Sequence, residues 1–289
     1  MTRIGDLLTD GATLSFEFFP PKSEEAERQL DTTLEQLAKL NPSFVSVTYG
    51  ALGTTRDRTR DIVVRFNEQH PFPTMAHLTC VGHTREDIKL LLDEYAVSEV
   101  KNILALGGDP PADGSDPGGE FAYASELLDM VRAHPAGFSV GVAAHPELHP
   151  RSEDRASDRR HLAAKLAVAD FGVTQFFFTV SHYEQMMDDL AELGCDTPVI
   201  PGVMPVNTLP GLIRMAEMNA TDLPAPLMER LETVGDDVDE VRKIGVDVAS
   251  DLAQELLDAG APGLHLYALN RADSITRIVE NLGLGSEAT

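Results

Sequence analysis

Residues 13–37, with the sequence TLSFEFFPPKSEEAERQLDTTLEQL, contain the repeating unit that decides the fold. The first six of them, Thr13–Phe18, are mostly apolar or β-branched and predict a β-strand. Ser23 belongs to the residue types that cap helices, and the leucines at positions 30, 34 and 37 follow it at a spacing that places them on one helical face. The stretch therefore predicts a strand followed by a helix.

The same alternation continues along the chain. Helical spacing of apolar residues recurs between the strands, and the last such helix runs to Gly260, a residue type favoured after helix C-termini. Strand and helix in repeated alternation predict a closed parallel barrel, a (β/α)8 TIM barrel, with residues 1–289 as a single domain. The predicted strands are Thr13–Phe18, Phe44–Tyr49, Thr74–Thr79, Asn102–Leu106, Phe138–Ala143, Val173–Phe178, Pro198–Val203 and Leu264–Tyr267.

A doubly wound open sheet is the alternative to the barrel. It is disfavoured because no predicted strand is followed by a Gly-x-Gly-x-x-Gly turn; the nearest stretch, residues 106–109 (LGGD), lacks the third glycine and runs into two prolines. Two segments interrupt the barrel repeat. Asp109–Gly119, rich in Pro, Gly and Asp, predicts a loop, and Asn219–Glu240 predicts extra helical residues between the seventh and eighth strands.

Composition narrows the range of partners and compartments. Lys and Arg total 23 against 47 for Asp and Glu, so the net charge is −24, which argues against nucleic acid as a partner. No run approaches the roughly 18 apolar residues of a membrane span, and the N-terminal residues lack the order of a signal peptide. We therefore expect a cytoplasmic protein with no membrane partner. Cys80 and Cys195 are predicted to be small packing residues, not a disulfide.

Glu17 is the strongest catalytic candidate. In barrels of this type the catalytic side chains lie at the C-terminal ends of the strands, and Glu17 is at the end of the first. It stands among Phe16, Phe18 and Phe19, and we expect burial against these rings to raise the pKa of the carboxyl group. A protonated carboxyl group is what a general acid requires. A structural carboxylate paired with a barrel lysine or arginine is the alternative.

Other polar residues occupy the predicted ends of further strands. Asp109 ends the fourth strand and could instead cap a loop or helix. His145 and His149 follow the fifth strand, but each is followed by proline and no third ligand is in view, so no metal site is predicted. His77 lies within the third strand and could be a satisfied core histidine. Two more polar residues at strand ends are Thr48 and Gln175.

Taken in order, these motifs resemble those of the methylenetetrahydrofolate reductase family. The resemblance spans nearly the whole chain, and it implies the short bacterial form of the family. The matching stretches are Leu14–Pro21 (LSFEFFPP), Phe44–Gly50 (FVSVTYG), His77–Cys80 (HLTC), Gly108–Pro110 (GDP), Pro146–Pro150 (PELHP), Thr174–Phe178 (TQFFF), Pro201-Gly202 and Leu266–Ala272 (LYALNRA).

The resemblance implies reduction of 5,10-methylenetetrahydrofolate to 5-methyltetrahydrofolate, a step of one-carbon metabolism. Glu17 matches the family glutamate that protonates the imidazolidine ring, which then opens to a 5-iminium cation that accepts a hydride. Asp109 matches the aspartate near the pterin, and Gln175 matches a glutamine that also contacts the folate. Tyr267 and Arg271, at and after the end of the last strand, are further expected substrate contacts, with Arg271 as the partner of a glutamate-tail carboxylate.

The resemblance also implies residues on the cofactor side of the pocket. Thr48, His77, Asp158 and Lys165 match positions that contact flavin in the usual enzymes of the family. His145 stands where the family has the tyrosine of its Ala-Tyr-Pro-Glu motif, and we assign it to the same side of the pocket.

Several residues depart from the family pattern. Gly107 replaces an arginine, and His161 and Ala164 replace an asparagine and an arginine that help to hold the flavin. Gly211 and Met215 replace a glutamine and an aromatic residue that contact folate and nicotinamide in the flavin enzymes. Because an arginine makes charge-assisted bonds to phosphate of about 1.5–3 kcal/mol each, losing two weakens flavin binding by orders of magnitude. FAD is therefore doubtful, and we expect NADH or NADPH to occupy the flavin's place and pass its hydride directly to the iminium.

Three alternatives stay open beside this hypothesis. One is a conventional FAD-dependent ping-pong reductase, and another is a pterin reductase that uses a deazaflavin. The third is a catalytically silent barrel that binds folate, against which the joint presence of Glu17, Asp109 and Gln175 argues. The choice between NADH and NADPH, the oligomeric state and the residues that bind a polyglutamate tail are not determined by the sequence.

Overall fold

Eight parallel strands close into a barrel, as the sequence predicts. A computed structural model describes residues 2–49, 56–108, 116 and 118–284 of the chain. In it each strand pairs with its neighbours in sequence, and the last pairs with the first. The strands are β1 (Thr13–Phe18), β2 (Phe44–Val47), β3 (Thr74–Thr79), β4 (Asn102–Leu106), β5 (Ser139–Ala144), β6 (Phe171–Phe176), β7 (Val199–Val203) and β8 (Gly263–Tyr267).

Helices alternate with these strands and cover the outside of the barrel. Further helices lie between β7 and β8, where the sequence predicts additional helical residues. The helices are α1 (Ile4–Asp10), α2 (Glu24–Ala38), α3 (Arg56–Gln69), α4 (Arg85–Val97), α5 (Ala124–Ala133), α6 (Arg155–Leu166), α7 (Val180–Glu192), α8 (Leu209–Asn219), α9 (Ala225–Val234), α10 (Val238–Asp258) and α11 (Asp273–Asn281). None of the helices in the described ranges is long and apolar enough to cross a membrane.

The residues of strand β1 alternate between the hydrophobic core outside the barrel and the interior of the barrel. Side chains alternate between the two faces of a strand. Phe16 and Phe18 are fully buried in the main hydrophobic core, which also contains Leu30, Leu34 and other apolar residues of the helices. Glu17, between the two phenylalanines, therefore faces the interior of the barrel.

The two ends of the barrel differ in composition. At the N-terminal end, Ile4 of α1 packs with an apolar cluster that includes Phe44 and Phe171, and its backbone N–H donates to Asn102 Oδ1 at 2.8 Å. At the other end, apolar residues of α8 to α10 form a separate cluster with Phe176. Beside this cluster the mouth of the barrel holds polar side chains, at the end where barrel enzymes carry their catalytic groups.

The sixth strand lies two residues earlier than the sequence predicts. The predicted strand runs to Phe178, whereas β6 begins at Phe171 and ends at Phe176, with an irregularity of pairing after Val173. The apolar run continues past the strand because Phe177 packs into the main core on the outside. Of the predicted loop Asp109–Gly119, residues 109–115 and 117 lie outside the described residues.

Candidate active site

Glu17 lies in the mouth of the barrel between two histidines. Its Oε2 is 3.2 Å from Nε2 of His265 on β8 and 3.4 Å from Nε2 of His77 on β3. The Glu17 side chain keeps 13% of its surface exposed, while His265 is fully buried. The structure thus joins two of the predicted residues, Glu17 and His77, and adds a third that sequence reasoning missed.

The expectation that phenylalanine rings raise the pKa of Glu17 is wrong. Phe16 and Phe18 point away from the carboxyl group into the main core, and Phe19 is 42% exposed. Burial inside the barrel does raise the pKa of Glu17, but His77 and a hydrogen bond from His265 outweigh it and hold the pKa below its usual range. Without substrate, the site therefore favours the carboxylate.

His77 is a neutral ring at physiological pH. Burial lowers the pKa of His77 to about 4. At pH 7, therefore, the influence that persists on Glu17 is the one from His265. Among the residues that the structure describes, the Nε2 atom of His77 has no hydrogen-bond partner, although it is shielded from solvent. A buried polar atom without a partner is costly, and at the mouth of a barrel it is suited to a ligand.

His265 connects Glu17 to a serine deeper in the barrel. Its Nδ1 lies 2.8 Å from Ser15 Oγ, which is also 3.1 Å from the carbonyl oxygen of Leu264. The serine hydroxyl has one proton to donate. If the serine donates that proton to the carbonyl oxygen of Leu264, then Nδ1–H of His265 donates to Ser15 Oγ. In a neutral His265 ring, Nε2 then carries no proton and can accept one from Glu17. Glu17 and His265 can therefore share one proton.

Two predicted substrate residues, Gln175 and Tyr267, are in contact. The hydroxyl of Tyr267 lies 3.0 Å from the Thr174 carbonyl oxygen and 3.3 Å from Gln175 Oε1. Gln175 Nε2 donates to Asn219 Oδ1 at 3.1 Å. Burial, followed by the charge of Glu17, raises the pKa of Tyr267 well above its usual value, so its hydroxyl stays a donor. Asn219 is a further residue of this group that the sequence did not single out.

Three of the predicted cofactor residues gather after β5. His145 follows the strand, and burial lowers its pKa to about 3, so the ring is neutral. Lys165 of α6 donates to the Ala143 carbonyl oxygen at 3.3 Å, and burial lowers its pKa. Asp158 is buried and accepts from Ser152 Oγ at 2.7 Å. The charges of Asp158 and Lys165 both act on His145.

Arg159 fixes the backbone that carries His145. It is 2% exposed, and its guanidinium donates to the carbonyl oxygens of His145, Pro146 and Glu147. It also pairs with Asp158 at 2.6 Å and with the Asp189 carboxylate at 3.2 Å. No signal in the single sequence distinguishes Arg159 from its exposed neighbour at position 160.

The remaining predicted residues are less closely joined to the site. Thr48 follows β2 and is half-buried; its backbone contacts Phe18 and Thr59, and none of its described contacts reaches the group after β5. Arg271 is exposed after β8, as a partner of a solvent-facing tail would be. Asp109, predicted to be catalytic, lies outside the described residues.

Comparison with known proteins places this barrel in a family. The family model described as methylenetetrahydrofolate reductase matches residues 3–283. The 5,10-methylenetetrahydrofolate reductase of Escherichia coli (strain K12) is 34% identical over 272 residues, which is 94% of this chain and 90% of that protein. Methylenetetrahydrofolate reductase (NADH) 1 of Arabidopsis thaliana is 35% identical over 302 residues, which is 99% of this chain and 51% of that protein.

A solved structure shares the fold. It is an uncharacterized protein from Clostridium thermocellum that binds two copies of 5-methyl-5,6,7,8-tetrahydrofolic acid. It aligns with a TM-score of 0.65 and 12% identity, over 97% of this chain and 98% of its own. At that identity the likeness shows the fold alone. The family model and the curated relatives show more: this chain belongs to the methylenetetrahydrofolate reductase family.

Proposed function

We propose that this protein reduces 5,10-methylenetetrahydrofolate to 5-methyltetrahydrofolate, with NADH as the hydride donor and Glu17 as the general acid. The names of its relatives support the reaction, and the name of the Arabidopsis relative supports NADH. The observation that carries the mechanism is the position of Glu17 at the end of β1, in contact with His265 and beside the unpartnered Nε2 of His77.

The acid step transfers the proton of Glu17 to N10 of the imidazolidine ring. The bond between N10 and the bridging carbon then breaks, and its electron pair stays on N10. The bridging carbon becomes an iminium with N5, and a hydride from the nicotinamide converts it to the methyl group, leaving NAD⁺. Glu17 is left as a carboxylate and must regain a proton before the next turnover.

Substrate and His265 together supply the protonation state that the acid step needs. A pterin over the barrel mouth removes water from Glu17, and desolvation disfavours the carboxylate. His265 transfers a proton from its Nε2 to Glu17, and the hydrogen bond with Ser15 keeps the imidazole ring in its orientation. The lowered pKa of Glu17 is compatible with this scheme, because the hydrogen bonds of catalytic groups change when substrate binds.

The folate is held on the side of β6 and β8. Tyr267 donates to the nearer carbonyl oxygen of Thr174, and the Gln175 amide is oriented by the backbone N–H of Phe176, which donates to Oε1, and by Asn219, which accepts from Nε2. Tyr267 and Gln175 together present a polar edge to the pterin. We propose Asp109 as a second pterin contact and Arg271 as the partner of the glutamate tail. A site that pairs each polar edge of a ligand rejects analogues that lack the matching group.

A resident flavin, which the family pattern implies, fits the described residues poorly. Arg159, the buried arginine of α6, is fully engaged with backbone carbonyls and carboxylates. Lys165 already donates to Ala143, and exposed His161 and Ala164 stand at the two positions of α6 where the family has asparagine and arginine. At the family's flavin positions on α6, the polar groups are therefore either replaced or already engaged. We propose that the nicotinamide itself lies in this part of the pocket, near Thr48, His77, His145, Asp158 and Lys165.

Purified protein is expected to lack a stoichiometric flavin absorption band and to reduce methylenetetrahydrofolate with NADH at a rate that added FAD does not change. The absorption spectrum and the paired assays measure this. The variant His161→Asn with Ala164→Arg, which restores the family residue types, should bind FAD roughly tenfold or more tightly than the wild type. A wild type that carries one flavin per chain would contradict direct transfer and leave the reductase assignment intact.

Loss of His265 is expected to change the pH dependence of catalysis. In His265→Leu the hydrogen bond that lowers the pKa of Glu17 is gone, so that pKa rises. Activity requires the protonated acid and falls as pH rises through its pKa; the fall should therefore move to higher pH. The maximal kcat should drop by up to about 100-fold, since reprotonation is slower. The profile of kcat against pH measures both effects.

The matched control is Ser46→Ala. Ser46 Oγ lies 3.4 Å from the same Nε2 of His265 but takes no part in the proton path. The Ser46→Ala variant should show the same dependence of kcat on pH as the wild type. A His265→Leu profile that coincides with the wild type would exclude His265 as the proton source and leave it a packing residue.

A further inference from the structure

A second polar cluster lies beside the reductase site, at the same end of the barrel. Glu147 follows β5, His182 lies in the first turn of α7 after β6, and Asp222 lies between α8 and α9. One ligand atom from each of these residues falls within 4.8 Å of the other two. They share the wall of a cavity of about 450 Å³, which also includes His149 and Gln185.

We infer that Glu147, His182 and Asp222 form a binding site for a divalent first-row transition-metal ion. Two carboxylates and one imidazole are ligand types that Zn²⁺ and Mn²⁺ both accept. Two negative charges balance the charge of the ion. The rest of the coordination shell faces the cavity, where water or an anionic ligand can complete it. The site does not depend on the proposed reductase activity.

The distances suit an ion with little rearrangement. Around a tetrahedral ion with bonds of about 2.0–2.2 Å, ligand atoms lie roughly 3.3–3.6 Å from one another. Glu147 Oε1 and His182 Nδ1 are 3.1 Å apart, close to that spacing. The third ligand, Asp222, is exposed, and its carboxylate has no hydrogen-bond partner in the described ranges, so it is free to rotate inward.

The direction of the His182 nitrogen distinguishes a metal ligand from an ion-pair partner. Nδ1 is shielded from solvent and 3.1 Å from Glu147 Oε1, yet it forms no hydrogen bond within the described part of the chain, because the geometry of this pair is out of line. Two ligand atoms that approach without pointing at each other can both point at a third position. A protonated His182 paired with Glu147 is the competing reading, and it leaves the nearby Asp222 carboxylate unexplained.

The charges around the cluster also favour a cation. The backbone N–H of Asp222 donates to Glu147 Oε1 at 3.1 Å, which holds two acidic side chains next to each other. Two carboxylates with oxygens within 4.8 Å of each other repel unless a cation lies between them. Arg155 lines the cavity, but its guanidinium is occupied by Asp189 and Gln185, each at 2.7 Å. The positive charge of Arg155 is therefore paired with Asp189 and does not neutralise Glu147 or Asp222.

The test uses the full chain, stripped of metal with a chelator and with any affinity tag removed. Equilibrium dialysis against Mn²⁺, with free Mn²⁺ read by electron paramagnetic resonance, should give one ion per chain, and added Zn²⁺ should displace it, as the affinity order of divalent metals requires. Asp222→Asn and His182→Ala should each weaken binding at least about tenfold. Asp258→Asn, which removes an exposed charge at the end of α10, should not.

A second measurement guards against misfolding of a variant. Because a ligand of the folded state raises stability, the same concentration of Zn²⁺ should raise the Tm of the wild type and of Asp258→Asn by more than that of Asp222→Asn. Asp222 is exposed, so its replacement leaves the fold intact. Absence of saturable Mn²⁺ binding, or equal binding by wild type and Asp222→Asn, would overturn the site and leave Glu147 and His182 as an ion pair.

Discussion

Glu17→Gln is expected to lower kcat for the reduction of methylenetetrahydrofolate by about 100-fold or more. Glutamine has nearly the same shape and retains a hydrogen-bonding oxygen, so the contact with His265 and the packing of the strand persist. It cannot release a proton, and general-acid catalysis contributes roughly 10²–10⁴ in rate. KM should change little, because the lost interaction acts in the transition state. Steady-state kinetics with NADH in excess measures both quantities.

The matched control for this substitution is Glu24→Gln. Glu24 is exposed in the first turn of α2, and the same chemical change there should leave kcat unaltered. Thermal unfolding of both variants checks that neither loses its fold. A Glu17→Gln enzyme with wild-type kcat would remove Glu17 from the mechanism altogether.

Arg159→Met is expected to destabilise the protein by about 3–5 kcal/mol. The substitution preserves most of the side-chain volume but leaves the carbonyl oxygens of residues 145–147 without their donor and the buried Asp158 without its partner. Removing one member of a buried ion pair costs that much because the other charge stays behind. Urea unfolding gives the free energy, and the affinity for NADH should fall as well, since the backbone of His145 loosens.

The neighbouring residue provides the control. Arg160 is exposed on the same helix, and Arg160→Met should change the free energy of unfolding by no more than about 0.5 kcal/mol. If the two variants unfold at the same urea concentration, the network around Arg159 is not what holds the loop after β5.

Periodicity predicted the barrel because each strand repeats the same local pattern. In β1 the alternation that buries Phe16 and Phe18 is also what directs Glu17 inward, so one pattern accounts for both the core and the inward position of this carboxyl group. The pattern failed at β6, where Phe177 continues the apolar run but packs outside the strand. Apolar character alone does not say which face of the sheet a residue occupies.

The partners of Glu17 could not be predicted in the same way. His265 reaches Ser15 only because closure of the barrel pairs β8 with β1, a contact between residues 250 positions apart. The signal that was available is the alternation in residues 263–267 (GLHLY), which places His265 and Tyr267 on the inward face together. Because the contacts of Glu17 with His77 and His265 were not foreseen, its pKa was predicted to be raised, whereas it is lowered.

Product formation by the purified wild-type protein tests the central proposal most directly. The measurement is the amount of 5-methyltetrahydrofolate formed from 5,10-methylenetetrahydrofolate and NADH, quantified by mass spectrometry beside the NADH consumed. The proposed reaction predicts one molecule of 5-methyltetrahydrofolate for each NADH oxidised, and next to none with Glu17→Gln. A wild-type protein that binds the folate but forms no 5-methyltetrahydrofolate would contradict it.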